Sequence, residues 1–331
     1  MANIQLSLIC SDNDRTRPII DGTVVPDGVD WTVTVAHPSE MFWRQLHHAE
    51  FDVSEMSMSS LLMATAHGDT RWSGLPIFTS RRFFHTGILV RTDRGIEQPG
   101  DLKGKKVGVP EYQMTAALWT RAALHHVYGV TAQDMDWYME RNPEMSHGGA
   151  TGFEPPSDVR LQYIPPEKNI GTMMQSGELD AALLYIPGGN LVDRSTADLI
   201  RDPNVRRLFP DQRAEGIAYY QKTGFYPINH GMVVKREVYE KHPWVALNIF
   251  NAFAKAKDMV NERARALGEV YFDLGAIPSE HRKVLSMDPF AYGVMSNRKI
   301  LENIAQFSHE QGLTPRVLGL EEIFVAPALE I

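Results

Sequence analysis

Short runs that alternate between apolar and polar positions, or stay apolar for a few residues, recur along the chain between segments whose apolar positions repeat at the helical period. Ile4, Leu6 and Leu8 alternate with Asn3, Gln5 and Ser7, as a strand begins. Further strands are expected at 31–35, 51–55, 84–91, 106–110, 161–164, 181–186 and 231–235. Ala116, Trp119, Ala123 and Val127 share one helical face, and Val245, Ile249, Ala252, Ala256 and Met259 share another. Strands alternating with helices define an α/β fold with doubly wound sheets, not a sandwich or a bundle.

The clearest punctuation is Pro99-Gly100, and a return passage falls near 223–229. Two lobes are therefore expected: residues 1–95 with 226–331 as lobe I, and residues 96–225 as lobe II. The stretch 141–158 carries Gly148-Gly149 and Pro155-Pro156 without periodicity, and reads as a long loop of the kind that forms lids or binding segments.

At 331 residues and 43% hydrophobic, the chain can bury cores for two domains. The net charge of −8, with scattered basic residues, excludes a nucleic-acid face; an anionic ligand would need local arginines. No apolar run is long enough to span a bilayer. The single cysteine, Cys10, excludes an intrachain disulfide framework and a Cys-rich metal site. The first basic residue is Arg15, so no basic export leader precedes the first strand, and a cytoplasmic location is expected. Phosphate-loop patterns are absent in the needed setting, so no nucleotide is expected.

Ligands of open α/β sheets bind beyond the carboxyl ends of strands, which directs attention to the polar residues there. After the first strand comes a polar run that includes Arg15. Glu55 and Ser57 alternate with Met56 and Met58 at the end of another. Arg81, Arg82 and His85 form the tightest cationic cluster, and a guanidinium fork suits a carboxylate. Glu111, Tyr112 and Thr115 lie between a strand and a helix N-terminus, where free backbone N–H groups favour an anion. His230 lies at the expected return passage. His47, His48 and Glu50, and the pair His125-His126, lack metal-motif spacing and read as exposed.

The segments PGDLKGKKVGV (99–109) and IGTMMQSGELDAALLYIP (170–187) resemble type II periplasmic-binding-protein-like folds, which implies a ligand cleft between the two lobes. VSEMSMSSLL, SRRFFHTGILV, GVPEYQMTAALWTRAAL, LQYIPPEKNIG and TGFYPINHGMVV together resemble the 4,5-dihydroxyphthalate decarboxylases, from about residue 4 to the C-terminus. At Phe84 the chain departs from that family's pattern, which has arginine there.

The resemblance implies a carboxy-lyase that turns 4,5-dihydroxyphthalate into protocatechuate and carbon dioxide, with a small aromatic carboxylate as its partner. Arg81 or Arg82 would then anchor the carboxylate that stays, His85 or His230 would supply the proton, and Glu55 would engage the hydroxyls. Ser57, Glu111, Tyr112, Thr115 and Arg15 complete the expected substrate contacts. No organic cofactor is expected; a divalent metal and a homo-oligomer are left open. The competing reading is a noncatalytic binding or sensor protein for an aromatic acid. An enzyme like the pyrimidine-precursor synthases of thiamine biosynthesis, which share the fold, is disfavoured because Cys10 is the sole cysteine.

Overall fold

The computed structural model describes residues 3–330. Strands are numbered along the chain. β1 (Ile4–Cys10), β2 (Val29–Val35), β3 (Val53–Ser57) and β4 (Trp72–Arg81) belong to a first sheet. β5 (Leu89–Arg91), β6 (Lys106–Val109), β7 (Asp136–Met139), β8 (Arg160–Tyr163), β9 (Ala181–Ala182) and β10 (Val205–Arg207) form a second. The chain then returns through β11 (Ile228–Lys235), which inserts between β3 and β4 to give the order β2-β1-β3-β11-β4. β1 runs parallel to β2 and β3, and β11 antiparallel to both its neighbours. The second sheet is ordered β10-β5-β9-β6-β7-β8, with its parallel pairs from β9 to β8. The fold is therefore an α/β architecture built on two mixed sheets.

The two expected helical faces belong to helices Thr115–Tyr128 and Trp244–Asp273. Trp119 of the first is buried, and its indole N–H donates to the Ile228 carbonyl at 2.8 Å. A helix that follows β6 of the second sheet thus fixes the first residue of β11 in the first sheet. Truncating a buried tryptophan of this kind costs about 3–5 kcal/mol, so Trp119 helps hold β11 in place.

β4, β7 and β10 depart from expectation. In β4, Gly74 and Pro76 interrupt the run, and proline removes a ladder donor. The strand forms because β4 is the sheet's edge and because its register against β11 shifts between the pairs Met232–Leu75 and His230–Ser80. The Pro76 carbonyl instead accepts from Gly293 N at 2.8 Å. Gly74 is required by close approach: a Cβ there would lie 2.7 Å from the Ile323 carbonyl, where the C-terminal segment closes over the edge. The expected strand 84–91 is a 3₁₀ turn, Phe84–Gly87, followed by β5. Segment 141–158 is a loop except for the helical turn Gly148–Thr151. Among the described residues, no helix is long and apolar enough to cross a membrane.

Candidate active site

Side chains two apart on a strand share a face, so Glu55 lies with Ser57 on β3 and His230 with Met232 on β11. The register sets His230 opposite Ser57 and leaves Glu55 on the diagonal, within reach of the imidazole. His230 Nδ1 lies 2.6 Å from Glu55 Oε1. The other carboxylate oxygen accepts from Ser11 N at 2.9 Å and Ser11 Oγ at 2.6 Å, just past the end of β1. Glu55 is fully buried, and burial alone would raise its pKa. The hydrogen bond and charge of His230, with the two Ser11 donors, outweigh burial and hold the carboxyl below its ordinary range. An ionised Glu55 therefore accepts from Nδ1–H, which leaves Nε2 as the acceptor facing the Asn229 amide at 2.7 Å. Cys10, next to Ser11, is buried, and its thiol is pushed up first by burial and then by Glu55 and Asp12.

Arg81 ends β4 and is held by neutral acceptors: the Tyr226 carbonyl at 3.3 Å, the Ala291 carbonyl at 2.8 Å and Asn297 Oδ1 at 2.5 Å. Burial lowers its pKa to about 10, so it stays charged at neutral pH. Arg15 donates to the Thr79 carbonyl at 3.0 Å and stacks 3.7 Å over the Phe290 ring. Arg15 Nε, Arg81 Nε, Thr79 Oγ1 and Tyr292 Oη are buried without a hydrogen-bond partner. Beside Arg81 lies a cavity of about 600 Å³, also lined by Tyr226, Asp288, Ala291 and Asn297. Arg82 is exposed, and its backbone N–H pairs with Pro227 at 3.1 Å.

A second buried cluster lies where the loop after β7 meets the helix Pro38–His48. Arg141 donates from Nη1 to Glu111 Oε2 at 2.7 Å, from Nε to Asp193 Oδ1 at 2.8 Å, and from Nη2 to Ser39 Oγ at 2.8 Å. His147 lies 3.2 Å from Glu111 and 3.0 Å from the Ser39 carbonyl. The Ser146 hydroxyl (2.5 Å) and Gly148 N (3.1 Å) complete the shell of Glu111. Gly148 is close-packed, since a Cβ would meet Gln113 Nε2 at 2.4 Å. Phe42 bridges the clusters, its ring edge-on to His230 at 4.8 Å and to His147 at 5.9 Å.

Ser57 and Thr115 meet hydroxyl to hydroxyl at 2.8 Å, and Thr115 also accepts from Ser59 N at 2.9 Å. Both residues join the sheets rather than point to open space. Tyr112 is buried against Trp137 and Phe153, with Arg121 stacked 3.8 Å over its ring.

The structure thus brings together Glu55, His230, Ser57 and Thr115, with Arg15 and Arg81 converging near the end of β4. Glu111 is placed in the second cluster and Tyr112 in the core. His85 stands apart: its Nε2 lies 3.0 Å from Glu215, whose carboxylate also accepts from the Tyr128 hydroxyl, and its ring packs on Tyr219 at 4.6 Å. Among the described residues one trio, His125, His126 and Glu310, has ligand atoms within 4.8 Å of one another; it is exposed, and spans the ends of helices Thr115–Tyr128 and Arg298–Glu310. Sequence reasoning did not single out Asn229, Thr79, Tyr292, Arg141 or His147. Asn229, adjacent to His230, was the one with a local signal.

A periplasmic-binding-protein-like fold with a buried carboxylate–imidazole pair is the class of protein these observations define. Among solved structures, the chain is similar to the periplasmic aliphatic sulphonate binding protein SsuA from Escherichia coli, with a TM-score of 0.55 at 15% identity and full coverage of both chains. It is also similar to the alkanesulfonate-binding protein SsuA from Xanthomonas axonopodis pv. citri, with a TM-score of 0.52 at 16% identity over 99% of this chain and 98% of that one. No family model matches the sequence. Among curated proteins, it is 33% identical to 4,5-dihydroxyphthalate decarboxylase of Comamonas testosteroni over the whole chain and 99% of that protein. It is 40% identical to the enzyme of the same name from Pseudomonas putida over 55% of this chain and 71% of that one. The chain belongs to the 4,5-dihydroxyphthalate decarboxylase family, a family of carboxy-lyases.

Proposed function

We propose that this protein removes one carboxylate from a hydroxylated aromatic dicarboxylate, with 4,5-dihydroxyphthalate giving protocatechuate (3,4-dihydroxybenzoate) and carbon dioxide. The observation that carries this reading is the buried Glu55–His230 pair beside two guanidinium groups, Arg15 and Arg81, whose hydrogen bonds all go to neutral acceptors.

In this reaction the hydroxyl para to the departing group pushes electrons into the ring as its O–H proton leaves. A proton adds to the ring carbon bearing that carboxylate. The C–C bond then breaks, its electron pair restores the aromatic ring, carbon dioxide departs, and the phenolate regains a proton. His230 is the proton carrier, through Nε2, once the Asn229 amide turns aside. Glu55 has both oxygens engaged by Ser11 and His230, so it orients the ring and stabilises the imidazolium instead of meeting the hydroxyls itself. Arg81 and Arg15 anchor the carboxylate that stays. The first sheet with its helices moves as one lobe against the second sheet, which includes β5; the lobes part to admit substrate and close to exclude water. Were a divalent ion required, Glu55 or His230 would be the residues here to hold it, and it would supply a Lewis acid for the charge that develops on the ring.

The test is to incubate chelator-treated protein with 4,5-dihydroxyphthalate, follow carbon dioxide and protocatechuate, and repeat with a divalent metal restored. Product in either arm supports the decarboxylase, and the difference between arms decides the metal. Tight binding without product in both arms would replace this reading with a sensor of aromatic acids.

A further inference from the structure

Tyr292 follows Phe290 and Ala291 in a segment with no regular structure, yet that segment is held rigidly. Lys257, from the helix Trp244–Asp273, bonds Asp288 and reaches the Phe290 carbonyl at 3.4 Å, and its ammonium lies 4.4 Å over the Tyr292 ring. Arg81 holds the Ala291 carbonyl at 2.8 Å, and Gly293 N donates to Pro76 at 2.8 Å. A phenol fixed this firmly, with 6% of its surface exposed, would ordinarily have a partner for its hydroxyl, because burying a polar group unpaired is unfavourable. It has none, nor has the Thr79 hydroxyl, 1% exposed, on β4.

Two more orphaned donors lie at this strand end, Arg81 Nε on β4 itself and Nε of Arg15, which reaches in from the segment after β1 to bond the Thr79 carbonyl at 3.0 Å. The Tyr292 hydroxyl lies within electrostatic reach of Arg15, Asp288, Glu55 and Arg81. The two carboxylates of that set are already engaged, Asp288 by Lys257 and Glu55 by His230. Two positive charges and two hydroxyls are left without an anionic partner, and a partly buried guanidinium without a counter-charge gains from an anionic ligand that supplies one.

We propose that Tyr292 and Thr79, with Arg15 and Arg81, form a receptor for the carboxylate that the substrate keeps, and that Tyr292 is a specificity-determining residue. This rests on the decarboxylase reading for its substrate. Its position turns the substrate so that the other carboxylate is directed toward His230.

The test is Tyr292→Phe, with Thr79→Val as a second variant, each compared with wild type by thermal melting, by KM and kcat for 4,5-dihydroxyphthalate, and by calorimetric binding of 3,4-dihydroxybenzoate and of catechol. Removing a hydroxyl that has no partner in the fold is expected to leave Tm unchanged or raise it. KM, and the Kd for 3,4-dihydroxybenzoate, are expected to rise about tenfold or more, as for a lost hydrogen bond to a charged group. Catechol, which lacks the carboxylate, is expected to bind both proteins alike. Wild-type turnover with unchanged KM and Kd in both variants would overturn the receptor and leave the decarboxylase standing. Wild-type binding of 3,4-dihydroxybenzoate, weakened in Tyr292→Phe, without any turnover would overturn the decarboxylase and leave the receptor. A wild-type protein that neither binds nor turns over overturns both.

Discussion

Around Glu111, each charged group has an opposite number. Arg141 bonds Glu111 and Asp193, its third hydrogen-bond partner is Ser39 on the neighbouring helix, and Gly148 N, the Ser146 hydroxyl and the Gln113 amide donate to Glu111, with the Gln113 Oε1 left unpaired. Around the end of β4, two guanidiniums and two hydroxyls keep buried donors with nothing to donate to. Both regions are rich in charge and hold buried polar groups. A satisfied network rigidifies and fastens, whereas buried donors left unpaired stay open to a partner from outside the fold. That difference, more than burial or charge alone, makes the end of β4 the proposed binding site and the Glu111 cluster a fastening.

The largest effect is expected where the two roles diverge most. Glu55→Gln keeps the size of the side chain and acceptor capacity toward Ser11, but removes the charge that supports an imidazolium. Decarboxylation is expected to fall about 10²–10⁴-fold in kcat, with the melting temperature changed far less than by breaking the second cluster. Steady-state kinetics beside thermal melting checks this. A large fall in Tm with kcat preserved would move Glu55 into the fastening class.

Arg141→Met is the converse. Removing the shared cation leaves Glu111 and Asp193 buried without their partner, a loss of about 3–5 kcal/mol, or roughly 4–7 °C in Tm for a chain of this size. At a temperature where the variant is folded, kcat is expected to fall less than about tenfold, because general acid–base groups, which carry effects of about 10²-fold or more, are untouched. Differential scanning calorimetry paired with kinetics reads both quantities.

How much of this was legible beforehand follows the same line. Glu55 and His230 were readable because each ends or begins an apolar run, and strand ends are where ligands bind. Arg15 and Arg81 were readable as local cations in an acidic chain. What stayed hidden depended on register and on long-range approach. That Glu55 meets His230 on a diagonal follows from β11 inserting between β3 and β4, which no local pattern encodes. β4 was obscured by Gly74 and Pro76, residues that oppose a central strand but suit an edge strand with a shifted register. Thr79 was hidden with it, and Tyr292 lies in a segment with no period at all. Arg141 and His147 lay inside an apparent loop, and their burial comes from helix Pro38–His48 packing against it.

The acid limb of stability separates the clusters more gently. Burial alone would raise the pKa of Glu111, but His147, Arg141 and the Ser146 hydroxyl outweigh it, and for Asp193 Arg141 likewise outweighs burial; both carboxyls are held below their ordinary values. A depressed folded-state pKa contributes stability that is fully present above the unfolded value, near 4, and is lost as pH falls through the folded one. Burial holds the His147 imidazole, in contact with Glu111, below its ordinary range, so wild-type Tm is expected to begin to decline below about pH 6.5, where the unfolded chain takes up that proton, and to decline further below about pH 5 as the carboxyls titrate. Glu111→Gln starts lower at neutral pH and declines less steeply in acid, since one of the linked protons is gone. Parallel declines in the two proteins would show that Glu111 is not held below its ordinary value.

The smallest expected effect concerns His85, which sequence position alone grouped with Arg81. The structure gives it a different set of neighbours: Glu215 at 3.0 Å, the Tyr219 ring, and Phe209 edge-on at 5.8 Å. Nothing orphaned lies among them. Burial alone would raise the pKa of Glu215, and hydrogen bonds from His85 and Tyr128 hold it below its ordinary range instead. By the criterion that separates the other two clusters, this one is a fastening as well. His85→Gln keeps an amide donor near the place of Nε2, so the bond to Glu215 survives while the ring packing is lost. The expected cost is on the order of 1 kcal/mol in stability, with kcat and KM within about threefold of wild type. A hundredfold loss of kcat without loss of Tm would put His85 in the proton path, and would show that a fully partnered histidine can belong to the site, which would end the use of orphaned donors as its boundary.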